Sequence, residues 1–357
     1  MITDFGWSDA LSEKFEPFAD KGYLPARVTA QHRSLWRLIT EFGDADGQLS
    51  GHFMHNAKDG GFPVTGDWVA ISENGDGSAT IHGVLPRHTI FVRRAAGGVG
   101  EQVVVANIDV ALLVCALNRD LNPRRVERYL VATRESGAVP VIVLTKADLS
   151  ADLVADRASI DAIAGDVPVL VLSAKQGSGL DLLDAWLKPG ASAVLLGSSG
   201  AGKSTLVNAL MARDVMTTQD VRSGDDRGRH TTTHREMLRL PNGALIIDTP
   251  GMRELGLTAA GDEALTSSFD DVAELITACK FTDCGHGREP GCAVQGAIRS
   301  GGLSAARWEA YLKLERELEF ERRKADAGAE AAHRQQWKKI HKAARARDAF
   351  KTKERDW

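Results

Sequence analysis

Four cysteines among 357 residues are too few for a disulfide-stapled scaffold, and three of the four crowd between positions 279 and 292. No apolar run reaches the roughly 18 residues that a membrane-crossing helix needs. The best, Val103 to Leu117, is broken by Asn107 and Asp109. The opening MITDFGWSDA lacks the positive charge and apolar core of a secretory leader, so a cytoplasmic protein with no membrane association is expected. No internal repeat is detectable, which removes solenoids and propellers. An excess of one charge is missing too. Lys and Arg number 44 against 48 Asp and Glu, so the whole chain does not bind nucleic acid by bulk charge. The 43% hydrophobic and 26% charged content is that of a soluble globular protein, and the length suits two or three domains.

The chemistry that is present begins with GSSGAGKST, residues 197–205. Its glycines Gly197, Gly200 and Gly202 let the backbone curl until its N–H groups point at phosphates. Ser198, Ser199 and Ala201 complete that cradle. Lys203 reaches the β and γ oxygens, Ser204 ligates Mg²⁺, and Thr205 continues into a helix whose positive N-terminus adds to the site. The run Ala193 to Leu196 reads as the buried strand feeding the loop, and Leu206, Ala209 and Leu210 as one face of the helix after it.

Three further motifs narrow the ligand to a guanine nucleotide. Asp248 ends the apolar strand 244–247, where an aspartate holds Mg²⁺ through water, and Gly251 of the same DTPG offers a backbone N–H to the γ-phosphate. Thr145, Lys146 and Asp148 of TKAD follow the strand Val139 to Leu144. The Asp148 carboxylate accepts from guanine N1 and N2, donors that adenine cannot supply, which disfavours an ATPase. Ser173, Ala174 and Lys175 form SAK after another strand. Each motif sits at the C-terminal end of a strand, as an open α/β sheet requires. Their order is rotated. The guanine motifs precede the phosphate motifs, as if the domain were circularly permuted.

Cys279, Cys284, His286 and Cys292 follow the pattern Cys-x4-Cys-x-His-x5-Cys. Three thiolates and one imidazole make a closed tetrahedral set suited to one structural zinc, though the spacing is not that of a common zinc finger. Cys115 lies in an apolar strand and reads as a small core residue.

In LTKADL, LSAKQGSGL, LLGSSGAGKSTLVNAL, GRHTTTHRE, IIDTPGMRELGL and ACKFTDCGHGREPGCAV the chain resembles the circularly permuted GTPases, most closely the family of ribosome small-subunit-dependent GTPase A. The likeness covers roughly residues 25 to 345. It implies an OB-fold β-barrel, then an α/β circularly permuted P-loop GTPase, then an α-helical zinc-binding domain. It also implies Cys279, Cys284, His286 and Cys292 as the zinc ligands, and a monomeric factor that hydrolyses GTP late in maturation of the small (30S) ribosomal subunit and binds its rRNA. From the triple Thr231 to Thr233 it selects Thr232 as a Mg²⁺ ligand. Methionine stands at Met252, where many small GTPases place a water-orienting glutamine, so the likeness moves the catalytic role to His230, with His234 a weaker alternative.

The pattern along the chain fits that layout. Residues 1–22 are expected as a tail. Over 23–95, short strands are broken by turn residues such as Asn74-Gly75 and Asp76-Gly77, as in a small closed barrel. Arg93 and Arg94 followed by 95–100 read as a linker. Over 103–260 strands alternate with helical patterns. The stretch 214–234 is polar and suits a functional loop. Residues 261–357 read as helices around the metal site, ending in a basic helix. Between positions 332 and 357, nine Lys/Arg face three acids, which is +6 in a chain whose total is −4, so the remainder carries −10. Such a run is either a solvated tail or a contact for RNA phosphates, and the resemblance favours the second. A GTP-regulated RNA-binding module of another RNA-processing pathway is the alternative function. Because the metal-bearing region starts so soon after Gly251, it is expected to shift with the nucleotide.

Overall fold

The computed structural model of the chain describes residues 1–32, 34–57, 61–94, 101–118, 121–212, 236–248, 261–287 and 289–323. The first 22 residues, expected as a tail, fold instead. A 3-10 turn at Ile2–Phe5 leads into α1 (Asp9–Ala19). Ile2 and Phe15 are buried with Trp68, Ala70 and Leu85. Trp7 meets the rings of Phe15 and Trp68 edge-on at 5.8 and 5.0 Å. Leu11, Phe15 and Phe18 recur at helical spacing, so the apolar face had its own sequence signal.

A closed five-stranded barrel follows, built from β1 (Leu24–His32), β2 (Leu35–Thr40), β3 (Gly43–Leu49), β4 (Trp68–Glu73) and β5 (Ser78–Val84), with the short helix α2 (Gly51–Asn56) after β3. Its order is β1-β2-β3-β5-β4, closing on β1, with β3 and β5 parallel. Alternation fills the inside, since Ala79 and Ile81 of β5 point inward with Val28, Leu38 and Ile71. Strands β6 (Ile90–Arg94) and β7 (Glu101–Ala106) form a hairpin where a linker was expected from Arg93 onward. Phe91, Val104 and Val105 are buried in the core of the next unit, and Arg93 Nε donates to Gln102 Oε1 at 3.2 Å across the ladder.

The α/β unit comprises β8 (Val110–Ala116), α3 (Pro123–Ser136), β9 (Val139–Thr145), α4 (Leu153–Ala164), β10 (Val169–Val171), β11 (Ser192–Leu196), α5 (Lys203–Met211), β12 (Glu236–Arg239) and β13 (Leu245–Asp248). Parallel neighbours run β10-β9-β8-β11-β13, and β12 pairs antiparallel with β13. Every residue of β8 and β11 is buried, as expected for central strands covered on both faces. Asn122 caps α3 by accepting from the Arg125 N–H at 3.3 Å, Pro123 opens the helix, and Gly137 closes it.

Helices α6 (Asp262–Ser268), α7 (Asp270–Thr277), α8 (Ala293–Ser300) and α9 over 305–323 complete the described chain. They dock on α3. Phe269, Val272, Trp308, Leu314 and Leu318 belong to the same buried core as Val126 and Leu130. Arg307 seals the joint. It donates to Glu127 Oε1 at 2.8 Å and Asp271 Oδ1 at 2.9 Å, and its guanidinium lies 4.0 Å from the Phe269 ring centroid. Arg128 grips Glu317 with two bonds of 2.7 Å alongside. Burial pushes the Glu127 carboxyl up. Burial also opposes the Arg307 charge, but its two carboxylate partners outweigh it and hold the cation.

Arg307 and Glu127 are only 9% and 4% exposed at their side chains. Arg307→Met strands a buried carboxylate and should destabilise the protein by about 3–5 kcal/mol. Adding Glu127→Leu should recover part of that loss. Urea unfolding followed by far-ultraviolet circular dichroism checks both; a double variant as unstable as the single one contradicts this account.

Candidate nucleotide and metal sites

The phosphate loop leaves the C-terminal end of β11 and runs into α5. Gly197 passes so close to β8 that an added Cβ would stand 2.3 Å from the Val114 carbonyl oxygen. Only glycine fits there. Lys203 Nζ donates to the carbonyls of Gly197 and Ser198 at 2.8 and 2.7 Å, which places the ammonium over the mouth of the loop. Ser199 and Gly200 are exposed, Ala201 is fully buried, and Ser204 and Thr205 occupy the first turn of α5. The loop therefore has a buried heel and an open rim at a helix N-terminus, the arrangement that receives an anion.

TKAD stands beside it. Thr145 ends β9, and its hydroxyl donates to the Ala201 carbonyl at 2.6 Å, with the Cys115 carbonyl at 3.3 Å. Lys146 takes a left-handed backbone with φ 58°, and its Cε lies 3.8 Å from the position a Cβ on Gly202 would occupy. The aliphatic stem of Lys146 thus runs along the phosphate loop. Asp148 is exposed, with Oδ1 accepting from the Ser173 hydroxyl at 2.5 Å. Ser173 is buried, and its oxygen also receives the Gln176 N–H at 3.3 Å. Ala174 is half-buried and Lys175 exposed. The Ser173 side chain orients the acid, Ala174 packs against the core and Lys175 faces outward. Thr145, Lys146, Asp148, Ser173 and the phosphate loop meet at one edge of the sheet.

Asp248 is the last residue of β13, in register with Glu236 of β12. Its side chain, together with His230, Thr231, Thr232, Thr233, His234, Gly251, Met252 and the basic segment 332–357, lies outside the described residues.

The second site is the cluster of Cys279, Cys284, His286 and Cys292, whose ligand atoms all lie within 4.8 Å of one another. Cys279 Sγ is 3.9 Å from Cys292 Sγ and 3.5 Å from His286 Nδ1, and Cys292 Sγ is 3.7 Å from that nitrogen. Edges near 3.8 Å are what a tetrahedron with metal–sulfur bonds of about 2.3 Å requires. Desolvation works against the Cys279 thiolate, yet the N–H groups of Ala293 and Val294 at the start of α8 outweigh it and draw its pKa down. At Cys284 the His286 N–H favours the thiolate. Desolvation and the two neighbouring sulfurs win, and its pKa is pushed up to about 11. A cation among the sulfurs removes that repulsion.

Three further residues support this cluster, and two of them, Gln295 and Trp308, carried no sequence signal as site residues. Glu289 accepts from the N–H groups of Gly285 and Gly287 at 3.1 and 2.7 Å. Gln295 Nε2 donates to the His286 carbonyl at 2.8 Å, and Trp308 meets the imidazole edge-on at 5.5 Å. An acid inside a short cysteine-rich loop was the one available hint at Glu289.

Residues 84–258 match the sequence profile of the RsgA GTPase family. Over its whole length the chain is similar to the small ribosomal subunit biogenesis GTPase RsgA of Opitutus terrae, 44% identical across 97% of this chain and 98% of the relative. The protein of the same name from Syntrophotalea carbinolica is 41% identical across 95% of each. Among solved structures, YjeQ from Thermotoga maritima superposes with a TM-score of 0.62 at 27% identity, over 83% of this chain and 98% of that one. YloQ, a circularly permuted GTPase, shares the fold with a TM-score of 0.58 at 23% identity, over 83% of this chain and 95% of its own.

Gly197→Ala should weaken GTP binding at least tenfold, about 1.4 kcal/mol, because β8 or the loop must shift to admit the methyl. Calorimetric titration measures it, and unchanged affinity contradicts the tight heel. The purified chain should carry one metal per molecule by elemental analysis. Cys279→Ser should lose it along with a measurable part of the thermal stability; a metal-free wild type, or a variant equally stable and loaded, counts against the site.

Proposed function

The chain belongs to the RsgA GTPase family, and from that premise we propose that it hydrolyses GTP on the small (30S) ribosomal subunit as a late maturation factor. The observation that carries this is the convergence of TKAD, Ser173 and the phosphate loop at one sheet edge, with the Asp148 carboxylate held by Ser173 at 2.5 Å. In this reading Asp148 selects guanine, with Thr145, Lys146, Ser173, Ala174 and Lys175 around the base. Residues 197–205 cradle the phosphates, and Lys203 neutralises the charge that builds between β and γ oxygens. Ser204, Thr232 and Asp248 are the residues that would hold Mg²⁺, which would offset the negative charge of the phosphates, while Gly251 would offer its N–H to the γ-phosphate. His230 orients the attacking water once the ribosome positions it, a task Met252 has no proton chemistry to perform.

The metal of Cys279, Cys284, His286 and Cys292 is a single structural zinc, since four protein ligands leave no open position. The functional division is a barrel over 23–84, a GTPase domain that starts with the β6–β7 hairpin and runs to 260, and a metal-bearing unit over 261–357. The barrel and the basic C-terminal segment contact rRNA, and the factor works in the cytoplasm as a monomer. No helix among the described residues is long and apolar enough to cross a membrane.

GTP turnover with and without purified small subunits tests the proposal. Turnover should be slow alone, rise at least tenfold with subunits and fall again at high salt as phosphate contacts are screened. His230→Ala should keep nucleotide and subunit binding while losing the stimulation. Turnover indifferent to subunits would favour a GTP-regulated RNA-binding module of another pathway.

A further inference from the structure

The barrel and the metal-bearing helices are joined to the GTPase sheet in physically different ways. The helices share one apolar core with it, and the buried Arg307–Glu127 pair and the twofold Arg128–Glu317 pair close that joint. The barrel has a separate core of Ala26, Val28, Trp36, Leu38, Val69, Ile71, Ala79 and Ile81. Between it and the sheet stands Arg27 of β1, 2% exposed. Its guanidinium donates to the Ser192 hydroxyl at 2.7 Å, the Asn107 carbonyl at 3.1 Å, the Gly66 carbonyl at 3.4 Å and the Phe5 carbonyl. All four acceptors are neutral. Burial pulls the Arg27 pKa down to about 10, and Asp109 and Asp67 oppose that fall, so the group stays charged at neutral pH. Gly66 presses so near the sheet unit that a Cβ there would stand 2.0 Å from the Ala106 oxygen.

Three residues beyond Arg27 the same strand reaches the nucleotide side. Ala30 pairs with Glu236 of β12, and Glu236 pairs with Asp248 of β13. Ala30, Glu236 and Asp248 therefore stand in one row across three hydrogen-bonded strands. Asp248 opens DTPG. The register of β1 against β2 shifts between Val28 and Ala30, a bulge that bends the strand between Arg27 and the row.

We infer that the barrel, and not the metal-bearing unit, is the part that responds to the nucleotide, and that Arg27 is the positioning residue about which it turns. A displacement at Asp248 passes through Glu236 to Ala30, about 10 Å along the strand from Arg27. A guanidinium among neutral oxygens tolerates a small rotation by exchanging partners. The metal-bearing unit has no such freedom, because moving it would open a buried ion pair and a shared core. Two-state joints of unequal stiffness direct a small shift to the softer one. This rests on the GTPase reading of the phosphate site.

The test is hydrogen exchange by mass spectrometry on the full metal-loaded chain, with GDP against a non-hydrolysable GTP analogue. Amides of 197–205 should be protected by either nucleotide. Amides of 28–32 and 236–239 should change together by at least threefold between the two nucleotides, with 305–323 and α3 unchanged. Arg27→Met, which keeps bulk and removes every donor, should bind GTP within about twofold of wild type, about 0.4 kcal/mol. It should retain the change at 236–239 and lose it at 28–32. A change in 262–323 with 28–32 silent overturns the inference, as does protection at 197–205 with no difference at 28–32. No protection at 197–205 overturns the nucleotide reading instead. If Arg27→Met does not fold, the wild-type comparison alone decides.

Discussion

The described residues of TKAD, SAK and the phosphate loop stand on the C-terminal edge of one parallel sheet, and that constraint tolerates a rotated order of motifs. Parallel strands must share a direction, so every strand delivers its following loop to the same side. What the site requires is the spatial order β10-β9-β8-β11-β13, in which β11 lies between β8 and β13. It does not require that β11 be made first. The 2.6 Å bond from Thr145 to the Ala201 carbonyl shows how close the two halves come. The guanine motif braces the phosphate loop directly, although 56 residues separate the bonded partners.

Two buried arginines set how the flanking units attach. Arg307 answers carboxylates, and its ion pair lies in a place where water cannot compete. Arg27 donates its hydrogen bonds to carbonyl and hydroxyl oxygens and lies 5.0 Å from the Trp68 ring centroid, while the nearby Asp67 is engaged by Arg87 at 2.7 Å. The first arrangement penalises separation strongly, since each partner left alone would be an uncompensated charge. The second fixes position with several weaker bonds whose loss can be shared with neighbours. Both residues look the same in sequence, as single arginines amid mixed neighbours.

The nucleotide chemistry was legible because it depends on short local spacing. A phosphate cradle needs its glycines and lysine within one loop, and a four-ligand metal set needs its cysteines near one another. Barrel strands were legible from turn residues and alternation. The tail reading of 1–22 failed although Leu11, Phe15 and Phe18 stand at helical spacing, because they are sparse among polar residues and the core they join is built by Trp68, Ala70 and Leu85 far along the chain. The linker reading failed at Arg93 and Arg94, because two adjacent arginines beside a glycine-rich stretch carry no strand signal, and only their pairing with Gln102 and Glu101 makes them part of a strand. Arg27, Glu127 and Arg307 could not be found, because their partners lie as far away as 180 residues in the chain.

The position of β11 in the sheet has a consequence for synthesis. Strand β8 emerges from the ribosome well before β11, its partner on one side, and β9 can cover only the other. At about 5–20 residues per second, β8 waits on the order of ten seconds with that edge unpaired. Its sequence VALLVCA carries no charge and no proline to discourage pairing with another chain. In an ordinary motif order the phosphate-loop strand is already made when its neighbours arrive. The rotation therefore leaves the finished sheet unchanged but gives the nascent chain an aggregation-prone edge during translation.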